Sequence, residues 1–289
     1  MKLGFSGGIT FDLFFYEEYN CLIALQKTEY SMRKNQKKNS IQKRKWWFRL
    51  LKRLMKGRYK QPTFVYLGEK FNHGGIILSN HEGTDAPMSL EIYCDKPVRM
   101  WGASEMNSGL IPMYKYQTRV YYHEKKHWNL HLARLFCLIA SPLTNLFYKG
   151  LNLISTYRDG RLLKTLRESV NALQQGDNIV IFPEDSTQGY LETLQGFHPG
   201  FVALAEVCRK RGMDVPIYIT YFRKKDGLYI VDKPVFYSQL IANKETREEV
   251  IAKCLNRCNE LGQMQFDIPD GAKEVFIGEL EKEIAVAEE

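Results

Sequence analysis

Asn178-Ile179-Val180-Ile181-Phe182-Pro183-Glu184-Asp185 is the stretch that decides the fold. Its apolar run does not alternate, so both faces of the segment are buried, as in the central strand of a parallel sheet. A helical pattern precedes it, from Arg161 to Gln175, and stops at Gly176. Another follows it, from Gly200 to Arg211, and stops at Gly212. A buried strand between two helices is an α/β unit. Outward from it, strands are expected at 63–67, 75–79, 98–102, 215–221 and 227–231. Pro216 places the start of the strand at 215–221 at a sheet edge. Helices are expected at 127–148, with a break at Pro142, and at 245–261 and 272–287. This order predicts an α/β single-domain sandwich, with a largely parallel central sheet flanked by helices. The simplest division is an arm with a basic amphipathic helix over 1–60 and the domain over 61–289.

The chain has 289 residues, 44% hydrophobic and 26% charged. That excludes a disordered chain, a fibre or a small disulfide scaffold. The six cysteines have no metal-site spacing and read as reduced and cytosolic. The net charge of +8 is local. Thirteen of the 41 Lys and Arg lie in residues 31–60, which hold no Asp or Glu; the other 28 face 33 acids. Within that segment Trp47, Leu50, Leu51, Leu54 and Met55 recur at helical spacing. Lys45, Arg49, Lys52, Arg53 and Lys56 cover the rest, with Trp46 and Phe48 at the flanks. Three readings stand: a helix in the plane of an anionic membrane, a surface helix docked on its own domain, or a phosphate-binding arm. The net acidic remainder carries no nucleic-acid module, so no nucleic-acid partner is expected. The apolar run 135–148 is too short for a transmembrane helix and holds Pro142. Residues 1–30 lack periodicity and a small-residue cleavage site, so no secretory signal is expected.

Two loops leave the best strands, and strand ends are where α/β sheets gather their sites. The first is Ser79-Asn80-His81-Glu82-Gly83-Thr84-Asp85-Ala86-Pro87. An imidazole works as a base near neutral pH, and a nearby carboxylate can orient it. Asp85 also suits the helix start that Pro87 marks. The second loop is Phe182-Pro183-Glu184-Asp185-Ser186-Thr187-Gln188-Gly189, with two adjacent acids. Those acids fit either acid/base work or an ordinary turn. His123, His127 and His131 recur every four residues, but no second ligand cluster accompanies them, so no metal is expected.

Together these blocks resemble the glycerolipid (lysophosphatidate-type) acyltransferase superfamily. Asn80-His81 with Asp85 is similar to its first block, with three residues between His and Asp where the family has four. Leu153 to Arg158 is similar to the second. Phe182-Pro183-Glu184-Asp185-Ser186-Thr187 stands where the family has Phe-Pro-Glu-Gly-Thr-Arg. Phe197-His198-Pro199-Gly200 and Val215-Pro216-Ile217 follow in the family's order.

The resemblance implies a membrane-associated phospholipid/glycerol acyltransferase of lipid metabolism, peripheral on the cytoplasmic face and without a bound cofactor. His81 would be the general base, Asp85 its partner, and acyl-CoA or acyl-carrier protein the donor. The acceptor would be held by Asn80, Arg158, Phe182, Pro183, Glu184, Asp185, Ser186, Thr187 and Gly200. Thr187 replaces the family's arginine and Asp185 its glycine, so a phosphate-bearing acceptor is expected to bind poorly unless Arg158 or Arg161 compensates. The rival readings are a lipid-binding relative without catalysis and a thioester hydrolase.

Overall fold

The computed structural model of the chain describes residues 45–157, 159–185 and 189–277. The arm over 1–30 and the sites expected at Arg158, Ser186 and Thr187 lie outside the described residues, as do 278–289. The described residues all fall in one compact unit.

Nine strands form one sheet: β1 Thr63–Tyr66, β2 Ile76–Ser79, β3 Val98–Ala103, β4 Ile154–Thr156, β5 Asn178–Ile181, β6 Pro216–Arg223, β7 Leu228–Val231, β8 Val235–Phe236 and β9 Glu274–Phe276. The spatial order is β4-β3-β5-β2-β6-β7-β1-β9, with β8 beside β6. From β4 to β6 every pairing is parallel. The Lys224-Lys225-Asp226-Gly227 turn then reverses the chain into β7, and Gly227 takes the left-handed φ of +70° that this turn needs. β7, β1 and β9 are parallel to one another. The sheet is therefore mixed but mostly parallel, as the apolar runs predict.

The two-residue period of the strands sorts their side chains into two cores. Ile76 and Leu78, Ile179 and Ile181, Ile217 and Ile219 face one layer. There they meet α6 Leu162–Gln174, α7 Gly200–Lys210 and α8 Arg247–Gln263 through Val170, Phe201 and Cys254. Ile77, Val180, Tyr218 and Tyr229 face the other layer. That layer is closed by α1 Trp46–Met55 and α2 Asp85–Tyr93 through Phe48, Ala86 and Leu90.

Four expectations need correction. Pro216 opens β6, which lies inside the sheet between β2 and β7. As the first residue of the strand it still forfeits little, since that position tolerates a missing N–H. The helix expected to break at Pro142 runs unbroken as α5, Leu130–Leu151. It is the one helix among the described residues long and apolar enough to cross a membrane. Residues 274–276 are not helical but form β9, paired with β1. The basic helix also buries a different face from the one its spacing suggests. Phe48 is fully buried, whereas Trp46, Leu50 and Leu54 are exposed. Lys52 is not a free cation, because its ammonium bonds the carbonyl and the buried carboxylate of Glu91.

β3 and β4 are joined by a helical insertion: α3 Ser104–Asn107, α4 Leu110–Tyr116, a π-helical segment Gln117–Lys125, and α5. α1 locks onto the end of this insertion. Phe48 packs against Phe147 at 5.7 Å between ring centroids, and a Cβ on Gly150 would overlap the Phe48 ring. Gly150→Ala should therefore destabilise the protein by about 1–3 kcal/mol in urea unfolding, because the ring has nowhere to move. At an open helical site the same change stabilises by about 0.5–1 kcal/mol, so a gain would refute the lock.

Candidate active site at the carboxyl edge of the parallel strands

β2 and β5 are parallel neighbours with Leu78 opposite Ile181. Their next residues, Asn80-His81 and Phe182-Pro183-Glu184, therefore emerge side by side at one edge of the sheet. Asn80 is buried, and its amide replaces a strand pairing. Its Nδ2 donates to Phe222 O at 3.0 Å, and its Oδ1 accepts from Phe222 N at 2.7 Å. Its side chain is thus committed to β6 and positions His81.

His81 is half-buried at this edge. Its backbone N–H donates to Glu184 Oε2 at 3.0 Å. Its ring is 4.9 Å from that of Phe182, tilted at 56°, and stacks on that of Tyr190, 5.0 Å away and nearly parallel at 18°. Tyr190 carries no motif signal, and sequence reasoning missed it. Burial pushes its hydroxyl up to about 12, with Tyr121, Glu184 and Tyr116 adding to the rise. Two of those neighbours, Tyr116 and Tyr121, belong to the insertion.

Glu184 is buried at the end of β5, where its backbone bridges Phe197. Burial raises its carboxyl above the usual range, and the backbone N–H groups of His81 and Leu191 oppose that rise. One carboxylate thereby ties together two loops 103 residues apart in sequence. The neighbouring Asp185 is exposed, and its N–H donates to Gly196 O at 3.0 Å. The two adjacent acids thus differ in surroundings, Glu184 being buried and Asp185 exposed. Pro183 is buried and its carbonyl accepts from His198 N at 2.7 Å.

Asp85 opens α2 after a tight turn in which Glu82 and Gly83 take φ of +34° and +63°. Its Oδ2 is 2.7 Å from Lys224 Nζ, in the hairpin after β6. Among the described residues no hydrogen bond joins Asp85 to His81. Gly200 opens α7, and a Cβ there would stand 2.8 Å from the Trp101 ring, so close packing accounts for the glycine. Arg161 is exposed, paired with Asp159 at 2.7 Å and set over the Tyr157 ring. It follows β4, three strand spacings from β2, or roughly 14 Å along the edge. The structure thus gathers Asn80, His81, Phe182, Pro183 and Glu184 and leaves Arg161 apart. No group of His, Cys, Asp and Glu suited to a metal ion occurs among the described residues.

No protein-family model matches the chain, and no curated protein matches it either.

Glu184→Gln tests the buried tie. A carboxyl raised by burial binds its proton more tightly in the folded state, so it costs stability above its folded pKa and is relieved as pH falls toward the unfolded value of 4.5. Between neutral pH and pH 4.5 the wild-type protein should gain urea resistance relative to Glu184→Gln, which has no proton to gain. A difference independent of pH would mean that the carboxyl is not raised.

Proposed function

We propose that the chain is a membrane-peripheral O-acyltransferase. It moves a fatty acyl group from a thioester, acyl-CoA or acyl-carrier protein, to a hydroxyl of a lysolipid or related lipid. The observation that carries this reading is the hydrogen bond from His81 N to Glu184, which joins the Asn-His and Phe-Pro-Glu blocks into one site. The two blocks resemble the acyltransferase pattern separately, and their meeting at one strand edge supports it.

In this reading His81 takes the proton of the acceptor hydroxyl. The oxygen attacks the thioester carbonyl, the C–S bond breaks, and the departing sulfur receives the proton from the imidazolium. Nδ1 of His81 is buried, so in this reading Nε2 carries the transfer. Tyr190 stacks on a face of the ring, and the ring nitrogens lie in its plane. Glu184 and Asn80 are positioning residues, holding the backbone that carries His81. Asp85 supplies negative charge close in sequence to the imidazole, balanced by Lys224.

That balance favours a second reading, a lipid-binding relative without turnover, because the carboxylate expected to orient His81 is paired with a lysine. Thiol release from an acyl thioester, measured with a panel of lysolipid acceptors, separates the two. Acceptor-dependent release supports transfer, no release supports the binding relative, and release without acceptor identifies a hydrolase.

Under the transfer reading, His81→Ala should lower turnover about 10²–10⁴-fold with an unchanged melting temperature. Wild-type turnover in that variant would end the proposal. Asp85→Asn should lower kcat with little change in KM for the acceptor. The ion pair it removes is exposed on the lysine side, so stability should move by less than about 1 kcal/mol. Unchanged kcat would leave Asp85 as no more than an acid at a helix start.

A further inference from the structure

The insertion between β3 and β4 carries a surface that the chemistry at His81 does not use. On α5, Leu132, Leu135, Leu138, Ile139 and Leu143 are each at least 63% exposed. The opposite face is closed at every fourth residue by Ala133, Cys137, Ser141 and Asn145, all buried. Ser141 Oγ also donates to Gln117 Oε1 at 2.8 Å, fastening the helix to the π-helical segment.

The insertion that carries this apolar stripe is net cationic. Residues 104–153, the whole insertion, hold six Lys and Arg and two acids, Glu105 and Glu124. Trp128 stands exposed just before the helix. At the other end α5 packs on α1, whose outer face offers Trp46, Leu50 and Leu54 beside Arg49 and Arg53. Exposed leucines on one helical face, an indole at the end and basic residues around them match the chemistry of an anionic bilayer surface.

We propose that α5 is an in-plane membrane helix, its leucine stripe immersed in an anionic bilayer while its small-residue face stays on the domain. At 1.5 Å per residue its 22 residues measure about 33 Å, enough to span the hydrocarbon. Spanning would require Ser141 and Asn145 to leave their places on the domain for lipid, where unsatisfied polar groups are costly. The insertion also carries Tyr116 and Tyr121, neighbours of the Tyr190 that stacks on His81. One element therefore adjoins both the bilayer and the site, and under the acyl-transfer reading the acceptor lipid enters from the membrane side.

The test uses the full chain and sedimentation with phosphatidylcholine vesicles, with and without phosphatidylglycerol, at low and high salt. Combined Leu135→Asn, Leu138→Asn and Ile139→Asn should lower partitioning about tenfold or more at both salts, because apolar burial is not screened. Arg49→Gln with Arg53→Gln should weaken it at low salt and only on the anionic vesicles. A triple variant that partitions like the wild type overturns the proposal. So does wild-type protein that resists alkaline carbonate extraction, since that marks a spanning helix. So does a wild-type dimer that the triple variant turns into a monomer with unchanged vesicle binding, since the stripe then meets a second copy. Should the triple variant fold poorly, Leu138→Cys carrying an environment-sensitive dye keeps the question open to refutation: blue-shifted emission with vesicles is expected, and no shift overturns the proposal. His81→Ala should bind vesicles as the wild type does. Unchanged turnover in His81→Ala would thus sink the transfer reading without touching this one.

Discussion

One buried carboxylate holds the site in shape. Glu184 leaves β5, turns inward, and accepts backbone N–H groups from His81 and Leu191. Without it, two loops carrying N–H groups at a half-buried edge would have to satisfy them separately. The arrangement is possible only because β2 and β5 are neighbours in register, so their ends arrive together. Asn80 performs the matching task on the other side, closing the edge of β2 onto β6 with both atoms of its amide. The residues that most resemble a substrate-binding motif are therefore first of all those that fix the position of one imidazole.

The same edge explains Lys224. β6 ends beside β2 and turns back through a hairpin, which brings the lysine to the first turn of α2 and onto Asp85. The ion pair is thus a consequence of sheet order. Tyr116 and Tyr121 of the insertion are near enough to Tyr190 to raise its hydroxyl, and Tyr190 stacks on His81.

α1 and α5 illustrate how one helix serves two surroundings. α1 is apolar over more than one face. Phe48 and the Lys52–Glu91 pair anchor one of them to the domain, while Trp46, Leu50 and Leu54 remain outside. α5 divides the same way, with small residues inward and leucines outward. Docking on the domain and docking on a bilayer are then compatible, and the choice posed by the composition of the basic segment is not exclusive.

The amino-acid sequence determined the α/β class, the six longer strands and the helices behind them, because unbroken apolar runs and helical spacing are local signals. It also determined the chemistry available at the two loops, since residue types at strand ends are read directly. β4, β8 and β9 were not legible: two or three residues form a strand only where a neighbour supplies the hydrogen bonds. The unbroken path of α5 through Pro142 was likewise not legible, because packing along Ala133, Cys137 and Ser141 outweighs a local break signal. Tertiary structure alone decided that Glu184 holds His81, that Lys224 holds Asp85, and that Tyr190 covers the imidazole. Each of these is a contact between segments distant in the chain, fixed by strand order and register, and no single stretch of sequence carries that information.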